Sequence, residues 1–154
     1  MIRELTYNNR ILSEQERVEF CEKSDEYINM FSECIEGICQ LATKIQKSEN
    51  SDYDKITNTL IKIGTFTSYS FCDCIVLTKL FVRATNPYEK SFLRGKLKVQ
   101  LNESFKKLYG FSKKGYKDSH CAQLETIITM FPGFKSEFDE LLSDLEQILS
   151  LIHI

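Results

Sequence analysis

An apolar repeat in the first third of the chain constrains the fold more than any other feature. Apolar or small side chains recur at alternating spacings of four and three residues, the period of one face of an α-helix. The positions are Phe20, Ser24, Tyr27, Phe31, Cys34, Ile38, Leu41 and Ile45. Ser13 and Glu16 precede the repeat at the spacing of a capping box, which opens a helix. The pattern therefore predicts one helix of about 35 residues, roughly 50 Å long.

A second long helix is predicted from Tyr53 to Ala84, after a loop at residues 47–52. Both prolines of the chain fall where helical patterns end, and no helix-breaking residue except Gly64 lies inside this segment. Its latter half, SYSFCDCIVLTKLFV, is apolar nearly all round. Such a helix is expected in the centre of a bundle rather than on its rim.

The third helix has the clearest boundaries. Asn86 is a favourable N-cap, Pro87 fits the first helical position, and Gly110 is expected in the left-handed conformation after Tyr109. The remaining predicted elements are a basic loop at residues 113–118, a fourth helix from Ser119 to Met130, and a fifth from Phe134 that carries Phe138, Leu141, Leu145 and Ile148 on one face. Five helices with short connections predict an all-α, up-and-down bundle with a long first helix.

Charge is distributed unevenly along the chain, although the formal net charge is only −2. Residues 79–117 hold eleven basic side chains against two acidic ones. Residues 13–54 hold eleven acidic against four basic, and residues 118–154 hold seven against one. A basic middle segment between two acidic flanks is compatible with binding to a polyanion, and equally with neutralisation between helices of the bundle.

The composition, 42% hydrophobic and 27% charged, is typical of a globular domain. The start of the chain has no apolar core like that of a signal peptide, and no window reads as the roughly 20 apolar residues of a membrane span. We therefore expect a cytoplasmic protein without membrane contact. The cysteines lie inside apolar helical patterns, so we expect them to be free thiols. They are Cys21, Cys34, Cys39, Cys72, Cys74 and Cys121.

Two charged residues, Asp73 and Arg94, fall on the apolar faces of the second and third predicted helices. An unpaired buried charge costs several kcal/mol, so each needs a partner. The economical hypothesis is that they form a buried ion pair with each other across the two helices. Such a pair either fixes the register of the helices or forms a polar site within the bundle.

The basic middle segment carries candidate nucleic-acid contacts. Lysines attract phosphate backbones through counterion release, and interleaved aromatic side chains can stack on bases. The candidates are Lys96, Lys98, Lys106, Lys107, Lys113, Lys114 and Lys117. In the alternative interpretation, the acidic first and fifth helices neutralise the basic segment inside the bundle, and its aromatic residues serve as core or loop anchors.

The motifs predict no catalytic residue, metal site or cofactor. On a helix Cys72 and Cys74 point about 200° apart, so they do not readily share a metal ion. His120 and Cys121 are an adjacent pair without a third ligand nearby, which is not the spacing of a zinc site. The chain also has no GxSxG, no phosphate-binding glycine loop and no HExxH. Nothing in the spacing favours a Cys-His enzyme that uses His120.

The stretch NPYEKSFLRGKLKVQLNESFKKLYGF, residues 86–111, resembles the middle helix of bacterial HEPN-like proteins, which are associated with defence and toxin-antitoxin genes. The shared features are a capped helix that opens with a tyrosine and an acid, a leucine-arginine pair in its second turn, and an asparagine-glutamate near its end. A long apolar helix precedes it. The resemblance implies an α-helical bundle, often a dimer, and in active members a metal-independent ribonuclease.

Active members of that superfamily carry an arginine followed after four to six residues by a histidine. The arginine stabilises phosphate charge and the histidine assists proton transfer at the RNA 2′-hydroxyl. This sequence contains no such pair, so no catalytic residue is carried over. Two hypotheses remain. One is an RNA-directed HEPN-like protein, a toxin or phage-defence ribonuclease whose signature lies beyond the present sequence; the other is a non-catalytic helical interaction or regulatory module.

The expected partners follow from these two hypotheses. They are a second copy of the chain, bound through the long first helix, and RNA or an antitoxin-like protein. The last six residues, LSLIHI, resemble the translation of a transposon-end adaptor used in sequencing libraries. We therefore expect residues 149–154 not to be native, and residues 1–148 to form a single helical-bundle domain of a longer protein. His153 is accordingly not a candidate functional residue.

Overall fold

The structure is a computed structural model that describes residues 12–45 and 51–152. Those residues contain six α-helices, one 3-10 helix and no strand. The helices are α1 (Glu14–Ile45), α2 (Ser51–Arg83), α3 (Pro87–Leu108), α4 (Lys113–Lys117), α5 (His120–Ile128) and α6 (Lys135–Ile152), with the 3-10 helix at Pro132–Phe134. The prediction of an all-α bundle with a long first helix is confirmed. Most of the predicted first loop, and the start of the chain, lie outside the described residues.

The first helix begins where the capping box predicts. The Ser13 backbone N–H donates to the Glu16 carboxylate at 2.8 Å, and the Glu16 N–H donates to the Ser13 hydroxyl at 3.2 Å. From there α1 runs for 32 residues, or roughly 48 Å. The capping residues therefore set the start of a helix as long as the apolar repeat predicts.

The face of α1 that packs against α2 is rotated from the predicted one. Ser24 is buried and Phe31 and Ile38 are half-buried, as predicted, and the Phe31 ring lies 4.5 Å from that of Phe71. Two further rows of side chains flank these three residues along the helix. The half-buried row consists of Cys21, Ile28 and Ile35, and the exposed row consists of Phe20, Tyr27 and Cys34. The side chains of Leu41 and Ile45 are outside the described part. Three of the six seam positions whose side chains are described therefore form an exposed apolar edge of α1.

The second helix runs antiparallel to both of its long neighbours. It packs against α1, against α3 through Asp73 and Phe81, and against α5 through Phe66. Its central place was predicted, but the helix is not covered all round. Tyr69, Val76 and Leu80 are exposed, because the three neighbouring helices leave one face of α2 open.

By length and composition alone, the α2 segment Asp54–Arg83 could cross a membrane, since it contains an 18-residue window with a mean hydropathy of 1.3. The same helix makes polar contacts inside the bundle. Lys79 forms an ion pair with Asp25 of α1, and Asp73 accepts a hydrogen bond from Gln100 of α3. A mostly buried core helix of a globular bundle passes the same test, but only 11% of the apolar window of α2 is buried. The absence of membrane contact and the cytoplasmic location stay predictions.

The third helix begins and ends as predicted. The Asn86 side chain accepts the backbone N–H groups of Tyr88 at 2.8 Å and Glu89 at 3.4 Å, and Pro87 follows at the first helical position. After the helix, Gly110 has a φ of 85°. A β-carbon at Gly110 would lie 2.5 Å from the carbonyl carbon of Gly115, so the chain turns back tightly there.

The predicted basic loop at residues 113–118 is instead the short helix α4. The Ser112 hydroxyl caps it by accepting the Gly115 N–H at 3.0 Å. Five residues are too few to show an apolar period, which explains why the sequence predicted a loop. The following helix, α5, starts after Ser119, whose hydroxyl accepts the Ala122 N–H at 3.3 Å, and ends two residues before the predicted Met130.

The best-packed interior, which we call the C-terminal core, lies between the end of α3, α5 and α6. Phe105, Cys121 and Leu145 are buried in it. The half-buried side chains packed against them are Leu108, Tyr109, Phe111, Tyr116 and Leu142. Of the predicted α6 face, Phe138 and Leu145 are buried, whereas Leu141 and Ile148 remain exposed.

Candidate nucleic-acid interface

All seven candidate lysines lie exposed on α3 and α4. Within residues 12–45 and 51–152, none of them forms an ion pair with a carboxylate. The ion pair found between helices in that part of the chain joins Lys79 to Asp25. Neutralisation of the basic segment by the acidic helices therefore does not extend to the seven candidates.

Five of the seven lysines are gathered at one end of the molecule, which we call the basic pole. They are Lys106, Lys107, Lys113, Lys114 and Lys117. The tight turn at Gly110 folds α4 back toward the end of α3, so lysines from both helices belong to the same end. Lys96 and Lys98 lie roughly 12–15 Å farther along α3.

The basic pole rests on aromatic side chains of the C-terminal core. The Phe105 ring lies 5.7 Å from that of Tyr109 and 5.6 Å from that of Phe111, and the Tyr109 and Tyr116 rings meet edge to face at 5.3 Å. These rings anchor the α3–α4 turn, as the alternative interpretation predicts. Phe92 is different, because it is exposed on α3 and lies 5.4 Å below the Lys96 ammonium group.

A cleft of about 730 Å³ opens beside the basic pole, between the end of α3, α4, α5 and α6. Its rim includes Lys113 and Lys117. Two tyrosine–glutamate pairs line it: the Tyr109 O–H donates to Glu146 at 3.1 Å, and the Tyr116 O–H donates to Glu125 at 2.9 Å. The other lining residues are Gly110, Ser112, Ala122, Thr126 and Leu142.

The two tyrosines of the cleft are neutral hydrogen-bond donors at physiological pH. Burial and the hydrogen bond to Glu146 raise the pKa of Tyr109 to about 12. Burial and the bond to Glu125 raise the pKa of Tyr116 as well. Each phenol O–H donates a hydrogen bond to a carboxylate. That carboxylate still has lone pairs that can accept a hydrogen bond from another donor. The cleft therefore offers acceptors inside and cations at the rim, which suits a ligand that carries both N–H groups and a phosphate.

His120 and Cys121 are neighbours in sequence but do not form a nucleophile and base. Cys121 is 0% exposed, and burial and Glu125 raise the pKa of its thiol to about 11. Because the thiolate is the reactive form, this cysteine is unreactive at neutral pH. Burial also lowers the pKa of His120, whose ring packs 4.9 Å from Phe66 and whose Nε2 finds no hydrogen-bond partner among the residues that the structure describes.

The described part of the chain contains no group of three or more His, Cys, Asp or Glu side chains placed to hold a metal ion. The six cysteines are free thiols there, as predicted. Cys34 and Cys39 are exposed and Cys121 is buried. The chemistry available around the cleft is therefore that of hydrogen bonding and ionic contact.

The predicted buried ion pair between Asp73 and Arg94 is wrong. Both residues are exposed. Asp73 accepts a hydrogen bond from Gln100 at 3.1 Å, and the Arg94 guanidinium lies over the Phe81 ring at 5.8 Å. In this antiparallel register Arg94 sits about six residues, or roughly 9 Å, away from the position opposite Asp73.

Sequence reasoning did not identify the two tyrosine–glutamate pairs of the cleft. Tyr109 and Glu146 are 37 residues apart, and Tyr116 and Glu125 are nine apart. No motif links members of such pairs, because the fold alone brings them together. The chain as a whole matches no protein-family model, no curated protein and no solved structure.

Proposed function

We propose that this chain is an RNA-directed helical bundle of the HEPN-like kind, which binds single-stranded RNA at its basic pole. One observation carries the proposal: five exposed lysines, none of them in an ion pair with another residue of the described part of the chain, lie at one end of the molecule beside a cleft lined by tyrosines and glutamates. Exposed cations of this kind bind phosphates by releasing counterions. The resemblance of residues 86–111 to the HEPN-like middle helix adds support for RNA as the polyanion.

The cleft suits an unpaired base better than a phosphate. A phosphate inside the cleft would be repelled by the carboxylates of Glu125 and Glu146, because all three groups are negatively charged. The N–H groups of a base can instead donate hydrogen bonds to these carboxylates. Lys113 and Lys117 at the rim are placed to contact the flanking phosphates. Proteins commonly recognise single-stranded RNA by taking a splayed base into a pocket and holding the backbone with cations.

The proposal is tested by measuring the affinity for a fluorescent single-stranded RNA between about 50 and 200 mM salt. If the five lysines of the pole contact phosphates, a plot of the logarithm of the association constant against the logarithm of the salt concentration should have a slope of about −3.5. Lys113→Ala and Lys117→Ala should each reduce the steepness by about 0.7–1. Lys62→Ala, an exposed lysine of α2 outside the pole, is the matched control. Binding that is absent, or that loses as much from Lys62→Ala, contradicts the proposal.

Ribonuclease activity, as a toxin or in phage defence, is proposed only for a longer chain that carries the Arg-x4-6-His signature. The present sequence lacks it. Recovery of the downstream reading frame from the source DNA tests this point directly. A continuation with the signature on a further helix supports a ribonuclease, and a stop codon soon after Gln147 contradicts it.

A second candidate function, a non-catalytic interaction module, is favoured by a different observation. Among the described residues nineteen large apolar side chains are exposed, whereas only eight hydrophobic residues are buried. Several of the exposed ones form continuous surfaces on α1, α2 and α3. Exposed apolar patches of this kind are typical of protein–protein contact sites.

A further inference from the structure

Besides the open face of α2, two apolar surfaces of the described chain are not covered by its other helices. The first, which we call the α1–α2 groove, is a cavity of about 580 Å³ open to solvent. Its apolar lining includes Phe20, Tyr27, Phe71 and Ile75, and its polar lining includes Glu16 and Glu19. The groove exists because the packing face of α1 is rotated, which leaves Phe20 and Tyr27 on the edge beside α2. A groove between two helices is a common docking site for a third helix.

The second surface, which we call the α3 stripe, consists of Tyr88, Phe92 and Val99. These side chains are 82%, 55% and 60% exposed. At 3.6 residues per turn they lie within about 40° of one another on the helix, turned away from the buried Leu93. Gly95 lies on the same face, and a β-carbon there would meet nothing within 4 Å. The stripe is therefore an exposed apolar strip on α3 with room for close approach.

The groove and the stripe match in length and in charge. The groove extends along α1 from Glu16 to Tyr27 and the stripe from Tyr88 to Val99, which is eleven residues or roughly 16 Å in both. Residues 14–27 hold six carboxylates and two cations, whereas α3 holds six cations and two carboxylates. Opposite charges around apolar anchors favour one docking partner and one orientation.

We propose that the α3 stripe of one copy of the chain docks in the α1–α2 groove of a second copy. The two surfaces differ, so the contact is heterologous, and one copy can use its groove and its stripe at the same time. A second copy is the occupant because it supplies a basic, apolar helix face of the length of the groove. The inference rests on the interaction-module candidate and does not depend on RNA binding.

Sedimentation analysis of nuclease-treated protein over a wide range of concentration tests whether the chain associates with itself. Association should weaken as salt rises, because salt screens the opposite charges. Tyr27→Arg in the groove and Phe92→Glu in the stripe each place a repelling charge at an apolar anchor. Each should weaken self-association about tenfold or more. Tyr69→Arg, an equally exposed tyrosine of α2 outside both surfaces, should leave it unchanged.

Mixing the two variants distinguishes this contact from a symmetric one. Tyr27→Arg keeps an intact stripe and Phe92→Glu keeps an intact groove, so an equimolar mixture should form a heterodimer at concentrations where each variant alone is a monomer. A mixture that stays monomeric overturns the proposal. So does a wild-type chain that is monomeric, or one whose association is lost on nuclease treatment.

Circular dichroism and thermal unfolding of each variant establish that the substitutions leave the helices folded. Both altered side chains are exposed, so the unfolding midpoints should match that of wild type. The RNA-binding assay on the same variants separates the two proposals. Failure of self-association with salt-dependent RNA binding intact overturns only the docking contact, and the reverse result overturns only the RNA proposal.

Discussion

The α1–α2 hairpin and the C-terminal core hold their helices together in different ways. The hairpin joins two helices of more than 30 residues, but small residues occupy much of the interface. Ser24 is buried there with its hydroxyl bonded back to the Phe20 carbonyl, and Gly64 lies against Ile38. The core joins shorter helices through stacked aromatic rings and the buried side chains of Phe105, Cys121 and Leu145. Helix length and depth of burial are thus separate properties in this molecule.

Single substitutions should have different costs in the hairpin and in the C-terminal core. A long helix with a shallow interface spreads its stabilisation over many weak contacts, and each can be lost at small cost. A short helix has too little intrinsic stability to form alone and depends on burying its apolar face. Substitutions in the C-terminal core should therefore be more destabilising than similar ones in the hairpin.

The largest effect is expected from Phe105→Ala. Removal of this buried ring, which contacts two other aromatic rings, should lower the free energy of unfolding by about 3–5 kcal/mol. The matched control in the hairpin is Phe71→Ala, which removes a ring that is already exposed over much of its surface and should cost about 1–2 kcal/mol. Urea unfolding of both variants measures the difference. Equal losses would show that the two interfaces are equally deep.

Substitution of Gly110 should have the next largest effect. The left-handed conformation costs an alanine about 1–2 kcal/mol, and its β-carbon would also overlap the backbone of Gly115, so the loss should be at least about 2 kcal/mol. Gly110→Asn tests the cause, because asparagine tolerates left-handed backbone but carries the same β-carbon. We expect thermal unfolding to show both variants destabilised. A near-native Gly110→Asn would mean that conformation alone matters there.

Gly64→Ala should have a small effect, because the hairpin interface is shallow. The new β-carbon would lie 3.2 Å from the end of the flexible Ile38 side chain, which can move by a few tenths of an ångström. Since alanine favours the helix, the net change should stay below about 1 kcal/mol. A β-carbon at Gly37 in the same hairpin would have no neighbour within 4 Å, so Gly37→Ala should raise the free energy of unfolding by up to about 1 kcal/mol. A loss at Gly64 as large as that at Gly110 would contradict this contrast.

A change in pH should affect the stability of the fold through His120, whose ring packs against Phe66 of α2. Burial holds the pKa of His120 below its ordinary value of 6.5, so the unfolded chain binds a proton more readily than the folded one. The stability that neutral His120 contributes is complete above about pH 6.5 and is lost as the pH falls below it. Unfolding measured from neutral to mildly acidic pH should show this slope. His120→Gln should flatten it, since carboxylates titrate lower, near pH 4. An unchanged slope would assign it to other groups.

Local signals in the sequence were sufficient to predict most helix boundaries. The capping box at Ser13, the N-cap at Asn86 and the terminator at Gly110 each act within a few residues, and the structure confirms all three. The packing face of α1 was harder to predict. Apolar residues flank Ser24, Phe31 and Ile38 on both sides, so the pattern fits two rotations of the helix.

The register between helices could not be predicted from the sequence. A helical wheel gives the direction of Asp73 and Arg94 around each helix but not their heights along it, and the heights place them too far apart to pair. The cleft was missed for a related reason. It depends on where α5 and α6 bring Glu125 and Glu146 relative to the two tyrosines, and no local pattern encodes that arrangement.

The backbone contact between Gly110 and Gly115 also affects how the basic pole binds its ligand. Because a β-carbon at Gly110 would overlap the neighbouring backbone, the angle between the end of α3 and α4 has little freedom to vary. The lysines on the two helices are therefore carried on a backbone that is already ordered before any ligand arrives. Binding then costs mainly the side-chain entropy of the lysines, and a ligand loses little affinity to rearrangement of the protein.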